Sequence, residues 1–118
     1  MMLKIKRVYE KPEADDGIRF LVERLWPRGL TREKLKVKAW LKDVAPSPSL
    51  RKWYAHDIDK WREFQQRYRA ELEANPDAWK PILEAARDND VTLTYSARDT
   101  EHNSALALKS FLEERIQK

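Results

Sequence analysis

Val91-Thr92-Leu93-Thr94-Tyr95-Ser96 runs into Ala97-Arg98-Asp99-Thr100, after which Ala105, Leu108, Phe111, Leu112 and Ile116 recur at helical spacing. The first six residues are rich in β-branched and aromatic side chains and predict a strand. The polar residues that follow predict a loop, with Asp99 or Thr100 placed to cap the first turn of a helix. A strand, a short loop and a helix in that order form the repeating half of a parallel α/β sheet, so the rest of the chain is read against that unit.

Upstream, Leu3, Ile5, Arg7 and Tyr9 alternate with Lys4, Lys6 and Val8, the period of two expected of a strand. A polar turn over residues 11–17 leads into Ile18 to Trp26, an apolar run that predicts a strand covered on both faces and stopped at Trp26-Pro27-Arg28-Gly29. Thr31 to Lys34 reads as one capped helical turn, and Leu35, Val37, Ala39 and Leu41 alternate with lysines as if briefly extended. In Pro46-Ser47-Pro48 the serine suits an N-cap and the second proline the first helical position, predicting a short helix through Trp53-Tyr54. Asp57 or Asp59 caps the next helix, in which Trp61, Phe64, Tyr68 and Leu72 form one apolar stripe ended by Asn75-Pro76. A further helix carries Trp79, Ile82, Leu83 and Ala86, with Pro81 in its first turn or kinking it, before the Asp88-Asn89-Asp90 turn. The expected fold is α/β: a single small layered domain over residues 1–118, with a mostly parallel sheet of three to four strands flanked by helices.

The 118 residues suit one hydrophobic core, and 12 aromatic side chains against 37% charged residues exclude a disordered chain. Without cysteine there is no disulfide framework, thiolate zinc site or thiol nucleophile, and a reducing cytoplasm is the expected location. No apolar run approaches the ~20 residues needed to cross a bilayer, so no membrane partner is expected. The net charge of +4 is unevenly spread: residues 1–55 carry +7 and residues 56–118 carry −3. Such a positive pole is an argument for an anionic partner, a small molecule or nucleic acid.

Ligands of open α/β sheets sit beyond the carboxyl ends of the strands. Those ends would offer Arg7 from the first strand, Arg24 and Arg28 from the second, and Ser96 and Arg98 from the last, with Asn103 at the helix start. Arg7 shares its face with Leu3 and Ile5, and Arg24 is in phase with Phe20 and Val22, so both guanidinium groups would turn inward. Each must then meet a carboxylate such as Glu23 or Asp99, or leave room for an exogenous anion. Two-pronged guanidinium contacts favour carboxylate or phosphate. His56, beside Asp57, is the one candidate proton carrier, and His102 reads as a capping or solvent-facing residue. Neither a nucleophile elbow nor a glycine-rich phosphate loop is present, the two histidines make no metal-ligand set, and no cofactor is expected. Arg51-Lys52-Trp53-Tyr54 and Arg67-Tyr68-Arg69 interleave cations with aromatics, a pattern that can serve single-stranded nucleic acid, although Tyr68 also belongs to the apolar stripe.

Several blocks together resemble the YeaO-like family, domain of unknown function 488. They are residues 16–29 with their Arg24-Leu25-Trp26-Pro27-Arg28-Gly29 core, residues 40–47, Leu50 to Trp53, His56-Asp57, and residues 93–99 with Asn103. The resemblance spans essentially the whole chain and implies a compact prokaryotic α/β domain, without implying an activity. Glu23 stands where many members have Asp and Arg98 where many have Lys, so a lysine Schiff base is not on offer. The functional expectation is an arginine-rich pocket for a small anionic ligand, phosphorylated or carboxylated, in which Arg24 and Arg28 clamp, Arg7 and Arg98 line, Ser96 and Asn103 donate hydrogen bonds, and His56 would move a proton if a reaction occurs. A nucleic-acid module using the basic N-terminal half, or an interaction protein with structural arginines, are the alternatives.

Overall fold

A computed structural model describes residues 2–116. Four strands, β1 (Leu3–Arg7), β2 (Ile18–Leu21), β3 (Ala39–Trp40) and β4 (Val91–Tyr95), form a sheet of order β1-β4-β2-β3 in which every pairing is parallel. The helices are α1 (Arg32–Leu35), α2 (Pro48–Tyr54), α3 (Trp61–Ala74), α4 (Pro76–Ala86) and α5 (Ser104–Ile116). No helix among the described residues is long and apolar enough to cross a membrane.

The central strand is β4, buried at all five positions, as its composition requires once it has a neighbour on either side. The register places Leu3 beside Val91 and Ile5 beside Leu93, and Phe20 on the other side of Leu93. These residues share a face and pack against Leu50 and Tyr54 of α2, Phe64, Tyr68 and Leu72 of α3, Trp79 and Ile82 of α4, and Leu108, Phe111 and Leu112 of α5. Burying each such side chain contributes roughly 1.5–3 kcal/mol, so this face supplies most of the hydrophobic stabilisation. The stripe on α3 is as its spacing predicts, and the Tyr68 hydroxyl donates to the Val44 carbonyl at 2.5 Å, which satisfies the one polar atom it buries.

The opposite face is smaller and more polar. Thr92 and Thr94 stand in register with Lys4 and Lys6 on one side and with Arg19 and Leu21 on the other. Their hydroxyls donate to the Asp16 and Phe20 carbonyls at 2.7 and 2.9 Å. Val8, Leu21 and Leu35 form a second apolar cluster here, covered by Trp26, Leu30, Val37 and Trp40. Long helices therefore cover one side, and α1 with its flanking loops covers the other.

The second strand is shorter than the run Ile18 to Trp26 predicts, ending at Leu21. Beyond Val22, whose N–H donates to Thr94 at 3.3 Å, the neighbouring β4 is nearly exhausted, and residues 23–30 peel away. Trp26 then donates its indole N–H to the Leu30 carbonyl and packs edge-on against Trp40, with ring centroids 5.4 Å apart. The apolar character of residues 22–26 is used to close a loop over the sheet, which hydrophobicity alone cannot distinguish from a longer strand.

Candidate functional site

A cleft of about 420 Å³ opens at the carboxyl end of β4. Tyr95, Ser96 and Ala97 form its strand side, Arg51, Lys52, Tyr54 and His56 one wall, and His102, Asn103 and Ser104 the other. The α2 wall is anchored at its start, where the Ser47 side chain accepts the Leu50 N–H. In turn the Glu71 carboxylate of α3 accepts both the Ser47 N–H at 2.8 Å and its hydroxyl at 2.5 Å. At the other end of α2, Ala55 and His56 both adopt left-handed backbone, with φ of 46° and 60°. Neither residue is glycine, and each such conformation costs about 1–3 kcal/mol. The turn places the exposed His56 imidazole at the rim, its ring centroid 6.2 Å from that of Tyr54.

At the strand exit, Glu23 Oε1 accepts both the backbone N–H of Ser96 at 2.5 Å and its hydroxyl at 2.8 Å. The Trp40 indole N–H donates to the Glu23 carbonyl at 2.6 Å, so this residue is held at backbone and side chain together. Arg7 secures the same loop from the other side: its Nε donates to the Ala97 carbonyl at 2.9 Å and its Nη2 to the Ser96 carbonyl at 3.3 Å.

Asp99 caps a turn ahead of α5. Its Oδ1 accepts the N–H groups of Glu101 and His102 at 2.8 and 2.9 Å, and Oδ2 lies 3.0 Å from His102 Nδ1. The Glu101 N–H, together with His102, holds the Asp99 carboxyl below the usual carboxylate range. The N-cap of α5 is Asn103, not Asp99 or Thr100: its Oδ1 accepts the Leu106 N–H at 2.8 Å while Nδ2 donates to the Asp99 carbonyl at 3.0 Å. Both ends of the Asn103 amide are thus engaged inside the protein.

Of the residues singled out from sequence, His56, Ser96 and Asn103 line the cleft. Arg7 lies behind the loop it holds. Arg24, carried off the sheet by the early end of β2, lines a separate cavity with Tyr68 and Glu71 and donates to the Ala45 and Pro46 carbonyls at 3.3 and 3.4 Å. Its buried Nε has no hydrogen-bond partner among the described residues. Arg28 and Arg98 are exposed and outside the cleft lining. The cations of the lining are instead Arg51 and Lys52, which the sequence presented in an aromatic-interleaved run and in the Leu50 to Trp53 block of the resemblance, with no pocket role assigned. Among the aromatics of those runs, Tyr68 is buried, and Trp53 is covered by the Arg67 guanidinium 4.3 Å from its ring centroid and by the Lys60 ammonium at 5.1 Å. Tyr68 thus offers no face to a base, and Trp53 is already engaged by two cations.

The inward guanidinium that does meet a carboxylate is Arg19, on the other face of the sheet. It pairs with Asp16 at 2.7 Å and donates twice to the Leu35 carbonyl. Glu13, Asp15 and Asp16 form an acidic cluster in which ligand-type oxygens lie within 4.8 Å of one another. The lone pairs of Asp16 are directed at Lys6 and Arg19, and Glu13 is 2.8 Å from Lys6, so two of the three carboxylates are already paired and the exposed Asp15 stands outside these ion pairs. The signal in the sequence was Asp16 three residues before Arg19 at the start of a buried strand.

The family model described as the inactive DUF488-N3 subclade matches residues 2–118. The chain belongs to this YeaO-like DUF488 family. It is 38% identical to Uncharacterized protein YeaO of Escherichia coli over 112 residues, 95% of this chain and 97% of that one. It is also 47% identical over 70 residues to Uncharacterized protein Mb3100c of Mycobacterium bovis, 59% of each chain. No solved structure matches. The DUF488 residues that frame the cleft are drawn from the blocks that carry the resemblance: Glu23, Arg51, Lys52, His56, Ser96 and Asn103.

Proposed function

We propose that the domain binds a small anionic ligand, phosphorylated or carboxylated, in the cleft at the carboxyl end of β4, and does so without turning it over. The observation that carries this reading is the composition of the walls: Arg51, Lys52, His56 and His102 face a cleft whose one lining carboxylate, Glu23, already has an oxygen engaged by Ser96. The amino end of α5 adds the positive end of a 13-residue helix dipole on the same side. Its description as an inactive subclade fits a binding role, in which His56 contributes charge and hydrogen bonding at the rim. Arg7 and Arg24 support this role indirectly, through the loop carbonyls they hold, and Arg28 and Arg98 act at most on the approach of an anion from a distance.

The test is a thermal-shift screen over inorganic phosphate, sugar phosphates, nucleoside monophosphates and dicarboxylates. A ligand at a hundred times its Kd adds about 2.7 kcal/mol of stability, which raises Tm by about 10 °C in a chain of this size. Arg51→Ala with Lys52→Ala should abolish the gain and leave the ligand-free Tm within about 5 °C, because both side chains are exposed. A gain that survives the double variant, or stabilisation by oligonucleotides alone with steep salt dependence, contradicts the reading.

A further inference from the structure

Two polar groups of the cleft lack a protein partner among the described residues, and one of them, a carboxylate oxygen of Glu23, is mismatched to a bare anion. Glu23 presents Oε1 to Ser96, while Oε2 has no hydrogen-bond partner among the described residues. A bare phosphate or carboxylate against Oε2 would be repelled. Tyr95 lines the cleft and is only 3% exposed, and its hydroxyl makes no hydrogen bond among the described residues. Among the described residues only Arg24 Nε is a buried polar side-chain atom without a partner, so solvent reaches the Tyr95 hydroxyl, and a ligand hydroxyl can take the place of that water.

We propose that the ligand is a hydroxyl-bearing oxyanion of the polyol phosphate or hydroxy-acid type, an inference that rests on the anion-binding reading above. Its hydroxyl donates to Glu23 Oε2 and exchanges a hydrogen bond with the Tyr95 phenol, while its anionic end meets Arg51 and Lys52. Glu23 suits this role because it is immobilised at both ends, by Trp40 on its carbonyl and by Ser96 on its carboxylate, and so loses no side-chain freedom on binding. A phenol donates or accepts as required, which matches a hydroxyl. A hydroxyl is favoured over an ammonium because the same walls carry Arg51 and Lys52, beside which a second cation would be repelled. The two halves also sit at different depths: Glu23 and Tyr95 are partly or fully buried, whereas Arg51 and Lys52 are exposed. The ligand therefore enters hydroxyl end first. A cleft of about 420 Å³ lies within the range that encloses a small organic molecule of this kind.

Isothermal titration calorimetry with glycerol 3-phosphate and with propyl phosphate, which differ by two hydroxyls, tests this on the full chain. The expected result is a preference of about tenfold or more for glycerol 3-phosphate, the size of one charge-assisted hydrogen bond. Glu23→Gln, which turns an amide N–H₂ toward the cleft when its oxygen stays on Ser96, should bring the two affinities together. Tyr95→Phe, which keeps the ring in the core, should narrow the preference independently and serves if Glu23→Gln fails to fold. Equal binding of the two probes overturns the hydroxyl inference and leaves the anion reading standing. Binding of neither overturns both, and tighter binding of phosphoethanolamine than of glycerol 3-phosphate overturns the choice of hydroxyl over ammonium.

Discussion

Gly17→Ala destabilises the domain by about 3 kcal/mol or more, the combined scale of left-handed strain and of overpacking at a closed site. Gly17 has φ 66° and ψ −138°, a region that residues with a side chain essentially do not enter. An added Cβ would lie 2.1 Å from the Asp90 carbonyl oxygen, which is the acceptor for the Ile18 N–H that starts β2 beside β4. The methyl and the first hydrogen bond of the strand cannot both be accommodated. Gly29 provides the internal comparison: its φ is 81°, but nothing lies within 4 Å of the position a Cβ would take. Gly29→Ala therefore costs only the backbone term, about 1–2 kcal/mol. Urea denaturation of the two variants should give a clearly larger loss at position 17, and equal losses would contradict the packing argument.

Asp16→Ala should cost about 3–5 kcal/mol, because it leaves the Arg19 guanidinium buried without its counter-charge. The same residue makes stability depend on acid. Burial alone would raise the Asp16 carboxyl, but the Glu13 N–H, the Lys6 ammonium and the Arg19 guanidinium outweigh it and bring it below the ordinary carboxylate value. A carboxyl whose folded pKa is depressed contributes stability that is fully present above its unfolded value, about 3.9, and is lost as pH falls through the folded one. Denaturant midpoints measured between pH 6 and pH 2 should thus drop at the acid end in the native sequence. In Asp16→Asn the drop should be shallower, from a lower starting stability. An acid limb of the same depth in both would show that other carboxylates carry it.

The sequence was most legible where local chemistry and burial agree. Ser47-Pro48 caps and opens α2 as the residue types require, the stripe from Phe64 to Leu72 is the buried face of α3, and Val91 to Tyr95 is the centre of the sheet. Residues 22–26 read as strand because Val22 and Trp26 are covered, the first in the main core and the second by a loop closing on Trp40, while Leu25 is left exposed. That error moved Arg24 from the sheet rim to the Ala45–Pro46 carbonyls, a shift that no periodicity records. The place of the cleft followed from parallel topology, since strand carboxyl ends and helix starts meet there. Its charged lining did not. Arg51 and Lys52 reach it because α2 is set beside the segment ahead of α5, where the Tyr54 hydroxyl meets the His102 carbonyl, a tertiary juxtaposition of segments about fifty residues apart in the chain.

The central claim is that one small oxyanion occupies that cleft. Titrating isotopically labelled protein with glycerol 3-phosphate, and following each backbone amide by NMR, tests it most directly. Binding there predicts saturable shifts concentrated at Glu23, Arg51 to His56 and Ser96 to Ser104, with the amides of the acidic cluster around Asp16 unmoved. Shifts that fail to saturate, or that gather on the opposite face of the sheet, would contradict it.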